Sequence, residues 1–365
     1  MRTMTENNIT IQYADEIGFA FMPCILKATG TGITSIAITL VCQGEKQVCK
    51  ADAFNNGDCI LDYRAFVQSI LDGIKLGTRF YEDTYRDHLG EVIVCSVSVM
   101  SNETELLKFS FETFYVWGAM RYGETWGGCQ HLTCFRNYPF TFGLYAHSWT
   151  KILIGYEGAP QKAVDVEERG IWNFSSRILP RDARYSIIYS YDGEIKKATF
   201  DNIFDLTFYL NSGGAQEKLL RIDYDDSDEG IYLRWLDRHG FYRYWLFVAG
   251  EEQREVSSDG EFMRNNLMAY NGISGWVGAY GRKGCYNRVD KIPLCAPSVD
   301  GDTFDMLQDI ATSPVVDMFL GGDYESGEDM WQSVTVETET YTKTGAPLQD
   351  FVCTMTLNDI NIQRL

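Results

Sequence analysis

Residues 230–247, GIYLRWLDRHGFYRYWLF, constrain the fold more than any other stretch. Two runs of large β-favouring side chains flank Asp237-Arg238-His239-Gly240, whose Asp and Gly suit a tight reversal, so the stretch predicts an aromatic β-hairpin. In the first arm Ile231, Leu233 and Trp235 share one face and Tyr232, Arg234 and Leu236 the other. In the second, Tyr242, Tyr244 and Leu246 alternate with Phe241, Arg243, Trp245 and Phe247. Both faces are largely apolar or aromatic, and such a strand must be covered on both sides, by its own domain or by a neighbouring subunit. The plainest outcome is a buried sandwich hairpin. An intersubunit contact or an aromatic ligand platform is the alternative, and its candidate residues are Trp235, Tyr242, Tyr244 and Trp245, with Trp117 and Trp126 from the segment 116–138.

The rest of the chain predicts a mainly β protein of two or three β-sandwich-like domains with a few short helices. In residues 1–115, Ile9, Ile11 and Tyr13 alternate with polar neighbours, as do Ile36, Ile38 and Leu40, then Ile93, Cys95, Val97 and Val99, then Leu107, Phe109 and Phe111. Short strands of this kind indicate a sandwich rather than a nucleotide-binding α/β fold. One helix interrupts them, with Asp62 as its expected N-cap and Phe66, Val67, Ile70 and Leu71 on its apolar side. Residues 79–91 look like a polar surface connection. Residues 116–138, rich in Gly and aromatics, show no sustained period and suggest a connection between domains. A middle β-rich region, 139–210, has strand-like runs at 151–156, 170–175 and 185–191, while 200–210 fits a strand or a short helix. The last region, 211–365, holds the hairpin, a polar and Gly-rich stretch through residue 284, an apolar run at 292–299, a helix expected to be capped by Asp302, and strands at 315–320, 333–341 and 351–357.

Charge narrows the function classes. At −19 the chain lacks the basic face that phosphate binding needs, so neither nucleic acid nor an anionic membrane surface is an expected partner. The N-terminal residues have no long apolar core of a secretory signal and no later run reaches the length of a membrane span, so synthesis in a cytosol is expected. In that compartment the ten cysteines are expected mostly as buried free thiols.

The chemistry-bearing patterns stop short of a site. Cys129, His131 and Cys134 are the most metal-like cluster, but zinc needs a fourth ligand at compatible spacing and the nearest further histidine is His147. The acidic run 223–229 lacks the turn glycine and the closing carboxylate of a calcium loop, where Arg234 stands instead, so it reads as a solvated loop before the hairpin. Gly30-Thr31-Gly32 leads into a strand-like run instead of the helix a dinucleotide site requires, and Gly272-Ile273-Ser274-Gly275 misses the spacing of a nucleophile elbow. The acidic pairs Glu167-Glu168 and Glu251-Glu252 are what any acidic chain carries, since adjacency in sequence does not set carboxylates at glycosidase separation. No catalytic residue, metal or cofactor is expected.

Several stretches resemble structural proteins of tailed phages and prophages of Bacteroidales, of the distal-tail or baseplate type. They are Val116-Trp-Gly-Ala-Met-Arg-Tyr-Gly123, Cys134-Phe-Arg-Asn-Tyr-Pro-Phe-Thr-Phe142, the hairpin 230–247, the run 292–299, Thr312-Ser-Pro-Val-Val-Asp-Met-Phe319, Leu348-Gln-Asp-Phe351 and Gln363-Arg-Leu365. The resemblance covers about residue 115 to the end, and it rests on aromatics, prolines and turns. It implies a non-enzymatic protomer of a ring or tail-tip assembly, a homo-oligomer that also meets other phage tail proteins, made in the bacterial cytoplasm and carried in the virion tail. The competing class is a carbohydrate-binding β-sandwich or a glycan-active enzyme, which would give the chain a host-surface glycan as partner; eight Trp and twenty-two Tyr are material for sugar stacking, although burial is the commoner use of aromatics.

Overall fold

A computed structural model of the chain describes residues 1–54, 57–72, 84–87, 89–120, 131–135, 137–146, 150–156, 162–166, 168–175, 184–191, 194–196, 219–262, 270–273, 275–276, 282–323, 328–337 and 341–357. The fold is mainly β. Its chain divides into two compact units, the first comprising Met1–Asp228, Arg234–Trp245 and Gly321–Met330, the second Glu229–Leu233, Leu246–Leu320 and Trp331–Leu365.

The first unit begins with a β-sandwich. One sheet orders its strands Arg2–Glu6, Ile9–Tyr13, Ile25–Thr29, Cys59–Asp62; the other runs Ile17–Phe19, Thr104–Val116, Gly90–Ser101, Ser35–Cys42, Glu45–Asp52. Alternation does the work here. Ile9, Ile11, Leu26, Ala28 and Leu61 from the first sheet share one core with Ile36, Ile38, Leu40, Ile93, Cys95, Val97 and Val99 from the second. Helix Arg64–Asp72 adds Val67, Ile70 and Leu71 to that core. Its start lies one residue beyond the sequence expectation. Val67 N–H donates to the Tyr63 carbonyl (3.2 Å), so the first helical hydrogen bond begins at Tyr63, while the Asp62 carboxylate accepts from Arg64 N (3.0 Å) and from Cys24 N (3.1 Å) and ties the helix entry to a neighbouring segment.

Two further sheets complete this unit. Thr141–Ala146, Gly170–Ser175 and Thr84–Asp87 pair in that order, and a larger sheet runs His131–Phe135, Leu219–Asp225, Arg184–Tyr191, Thr150–Tyr156, Lys162–Val166. Three sequence expectations are corrected. The supposed surface connection 79–91 contains strand Thr84–Asp87, in which Tyr85 and Asp87 are buried. The supposed connection 116–138 contains strand His131–Phe135, which pairs in parallel with Leu219–Asp225. Part of the supposed acidic loop, Asp223 to Asp225, belongs to that partner strand, with exposed residues only from 226 onward. In each case polar residues masked a strand whose partner is far away in sequence. The segment 200–210 lies outside the described residues.

In the second unit the organising element is the long strand Arg282–Val299. It pairs with Gln253–Phe262 along its first half and with Gln349–Leu357 along its second, and Val248 and Ala249 pair with Cys295 and Leu294. The strand order Tyr242–Ala249, Ile231–Leu236, Val316–Asp323, Glu328–Val336, Gln349–Leu357, Arg282–Val299 is therefore closed by that last pairing into a barrel-like sheet, with Gln253–Phe262 outside the ring. The polar and Gly-rich stretch before residue 284 thus contains strand Gln253–Phe262 and the start of Arg282–Val299. Strand Glu328–Val336 also starts earlier and stops sooner than the run 333–341 predicts; beyond it Tyr341 stacks on Phe351 at 5.2 Å. Helix Gly301–Gln308 is capped by Asp300, whose carboxylate accepts from Thr303 N (2.8 Å), and Asp302 sits in the first turn. Phe304 from this helix meets Phe351 edge-on at 5.4 Å.

Candidate functional site at the hairpin tip

The hairpin is formed by Ile231–Leu236 and Tyr242–Ala249. Its tip, within the first unit, is a three-residue loop: Gly240 N–H donates to the Asp237 carbonyl (3.0 Å), and Asp237 N–H donates to the Phe241 carbonyl (2.9 Å). Gly240 takes φ +84°, a conformation that a side chain resists. The Asp237 carboxylate fixes the loop from inside. One oxygen accepts from His239 N (2.9 Å) and Phe241 N (3.0 Å); the other faces Arg243 Nη2 (2.9 Å) and His239 Nδ1 (3.3 Å).

These charges are inside the protein. Side-chain exposure is 0% for Asp237, 0% for His239 and 2% for Arg243. Burial pushes the Asp237 carboxyl up, but the Arg243 guanidinium and the His239 ring outweigh it and hold the group below the usual carboxylate range. Burial pushes His239 down, past the opposing pull of Asp237, so its ring resists protonation.

Backbone at 116–120 seats the tip. Ala119 N–H donates to the Arg238 carbonyl (2.8 Å), and a Cβ at Gly118 would lie 2.7 Å from that same oxygen. A Cβ at Gly240 would meet Val116 Cγ1 at 2.3 Å. Farther along the second arm, the hydroxyls of Thr141 and Tyr244 share a hydrogen bond of 2.8 Å, and Phe140 lies 5.5 Å from Tyr244. Arg234 stands over the Tyr242 ring at 4.9 Å. A carboxylate, an imidazole and a guanidinium thus meet within hydrogen-bonding range, but burial keeps them from any dissolved substrate, and what the cluster does is hold the reversal in one conformation.

The aromatics proposed as an interaction surface lie mostly in the interior. Trp235, Tyr242 and Tyr244 are buried by the chain itself, because both faces of the hairpin are apolar and both are covered. Trp245 is half-buried and meets Phe135 edge-on at 5.5 Å; Trp117 is half-buried and meets Phe21 edge-on at 4.8 Å. Trp126 lies outside the described residues. Sequence reasoning missed the Asp237–Arg243 pair. Its signal was present: an arginine on an otherwise aromatic strand face, two places from a turn that begins with Asp.

Cys134 is buried on its strand, while Cys129 and the side chain of His131 lie outside the described residues; no group of three metal-ligating side chains occurs among the described residues. The eight cysteines whose side chains are described, Cys24, Cys42, Cys49, Cys59, Cys95, Cys134, Cys295 and Cys353, are free thiols, and all of these but Cys295 are buried. No helix among the described residues is long and apolar enough to cross a membrane.

No protein-family model matches the sequence, and comparison with curated proteins gave no match. Among solved structures, one described as "Structural insight into host cell surface retention of a 1.5-MDa bacterial ice-binding adhesin" is similar at 12% identity over 96% of each chain, with a TM-score of 0.17. That score is too low to carry any argument about fold or function.

Proposed function

We propose that the chain is a non-enzymatic structural protomer of a phage or prophage tail or baseplate assembly, acting through contacts with copies of itself and with other tail proteins. The observation that supports this reading best is where the aromatic side chains lie. A carbohydrate-binding module holds Trp and Tyr in solvent on a concave face. In this chain every Trp and Tyr whose side chain is described is buried or half-buried, and among the described residues the exposed large apolar side chains are Val, Ile, Leu and Met apart from Phe54. Aromatics spent on the fold, together with a rigid hairpin tip, suit a scaffold better than a stacking platform. The aromatics of the hairpin therefore serve the protomer's own core, and the assembly contacts fall on other surfaces.

The test is location and mass. Purified tailed particles from a producing lysogen are digested and analysed by mass spectrometry, and an antibody to the chain is imaged on them by electron microscopy. Label at the tail end, together with a discrete oligomer in light scattering of the purified chain, supports the proposal. Absence of the chain from particles overturns it.

A further inference from the structure

In the N-terminal sandwich the larger sheet ends on strand Glu45–Asp52, which among the described residues pairs with no strand but Ser35–Cys42. We infer that this free edge is where two copies of the chain meet, strand Glu45–Asp52 of one pairing antiparallel with the same strand of the other about a two-fold axis at Cys49. The inference rests on the reading that copies of the chain assemble, and it names the surface they use.

The hydrogen-bond parity of the hairpin leaves the edge open. Gln43 and Gly44 form a two-residue turn with φ of +47° and +91°, which makes Cys42 and Glu45 a hydrogen-bonded pair. Every second residue from Glu45 then bonds to Ser35–Cys42, and Ala53 keeps the same parity by donating its N–H to the Thr34 carbonyl (2.8 Å). Lys46, Val48, Lys50 and Asp52 accordingly turn their N–H and C=O groups away from the sheet, as a template for another strand. Natural edge strands are commonly blunted by proline, a bulge or brevity. This one has eight residues, no proline and an unbroken register.

Its side chains choose the partner. Cys49 is buried, Gln47 and Ala51 are half-buried, and Lys46, Val48, Lys50 and Asp52 stand exposed on the outer face, Val48 at 55%. Among the described residues Lys46, Lys50 and Asp52 form no ion pair. Lysines on an edge ordinarily repel a like strand, so the register matters. For the outer faces of two copies to run on as one sheet, the axis must pass at a residue and not between two. At Val48 it would set Lys46 against the partner's Lys50, and at Lys50 it would set that lysine against itself. At Gln47 or Ala51 the strands would overlap over less of their length. At Cys49, Lys46 lies opposite the partner's Asp52 and Val48 opposite the aliphatic stem of the partner's Lys50, each twice by symmetry. That register also joins all four outward-facing residues, through about eight backbone hydrogen bonds. One end of the strand thus complements the other, which is what an isologous contact requires.

The test is sedimentation velocity of the whole chain from about 1 to about 100 μM, the range suited to a contact of small area. The expected result is a monomer–dimer equilibrium in which hydrogen exchange of peptides spanning residues 45–53 slows as concentration rises. Lys46→Glu and Asp52→Lys should each weaken dimerisation at least about tenfold by setting like charges opposite each other, whereas an equimolar mixture of the two variants should regain the parent affinity, because each then meets an opposite charge on the other. Both positions are exposed, so melting temperatures of the dilute variants should stay at the parent value and report that the fold is intact. Three outcomes overturn the inference: a strict monomer up to about 100 μM, a dimer that either variant leaves intact, or a loss that the mixture does not restore. Each of these leaves the tail reading standing if the chain is found in particles, and absence from particles leaves the dimer standing.

Discussion

Replacing Asp237 should be among the most damaging single changes in the first unit. Asp237→Ala removes the anion facing Arg243 Nη2 and the acceptor of two buried N–H groups, those of His239 and Phe241. Breaking a buried ion pair from one side costs about 3–5 kcal/mol. Each orphaned N–H adds about 1–3 kcal/mol if the loop cannot relax. The loop will relax in part, so a total of about 4–6 kcal/mol is expected, against about 3–4 kcal/mol for Asp237→Asn, which keeps an acceptor for the N–H groups but loses the charge. Urea unfolding, followed by tryptophan fluorescence and resolved into two transitions where the units melt separately, measures both values. Combining Asp237→Asn with Arg243→Met removes both charges together and should recover at least about 1.5 kcal/mol relative to the sum of the single changes. If Asp237→Ala costs under about 1 kcal/mol, or the pair proves additive, the cluster is not what holds the tip and the reasoning fails.

Acid should act on the same cluster in two steps. Because His239 has a lowered pKa in the fold, the unfolded chain binds its proton first, and stability should fall as pH drops from 7 through about 6.5, by at most about 1.4 kcal/mol per pH unit; a urea midpoint that is flat from pH 7 to 5, or a slope that survives His239→Gln, would count against this. Asp237 has the opposite window, with its stabilisation complete above the unfolded carboxyl value near about pH 3.9 and lost as pH falls through its lowered folded value, so Asp237→Asn should flatten the acid limb below pH 4. Gly118→Ala and Gly240→Ala each force backbone or side chain apart at the tip, and each should lower stability by about 1–3 kcal/mol in thermal melts, whereas Gly44→Ala, which meets nothing within 4 Å, should show only the strain of its own positive φ. Burial pushes the Cys24 and Cys95 thiols up to about 12 and Cys42 up to about 11, so thiol labelling of the native chain at pH 8 with peptide mapping should find these three unreacted and modify half-buried Cys295 first among the described cysteines.

Alternation within one strand is a local property, which is why the sandwich core at Ile9, Ile36, Ile93 and their strand neighbours was legible without coordinates, as was the hairpin with its reversal at Asp237 to Gly240. Helix positions were legible to within one or two residues; the exact caps were not, because only backbone geometry set the first helical hydrogen bond at Tyr63, with Asp62 accepting from Arg64 N beside it, and placed the second cap at Asp300 rather than Asp302.

From the sequence alone came the β class, the two-faced aromatic hairpin, and the demand that both its faces be covered. That demand follows from side-chain period and hydrophobicity, which any isolated segment carries. Tertiary structure alone decided what does the covering. Trp235 and Tyr244 are buried by their own chain, Thr84–Asp87 and His131–Phe135 become strands because distant partners supply their hydrogen bonds, and Val248 with Cys295 closes the barrel-like sheet. Such choices depend on contacts between residues many positions apart, whose free energy no local window of the sequence contains.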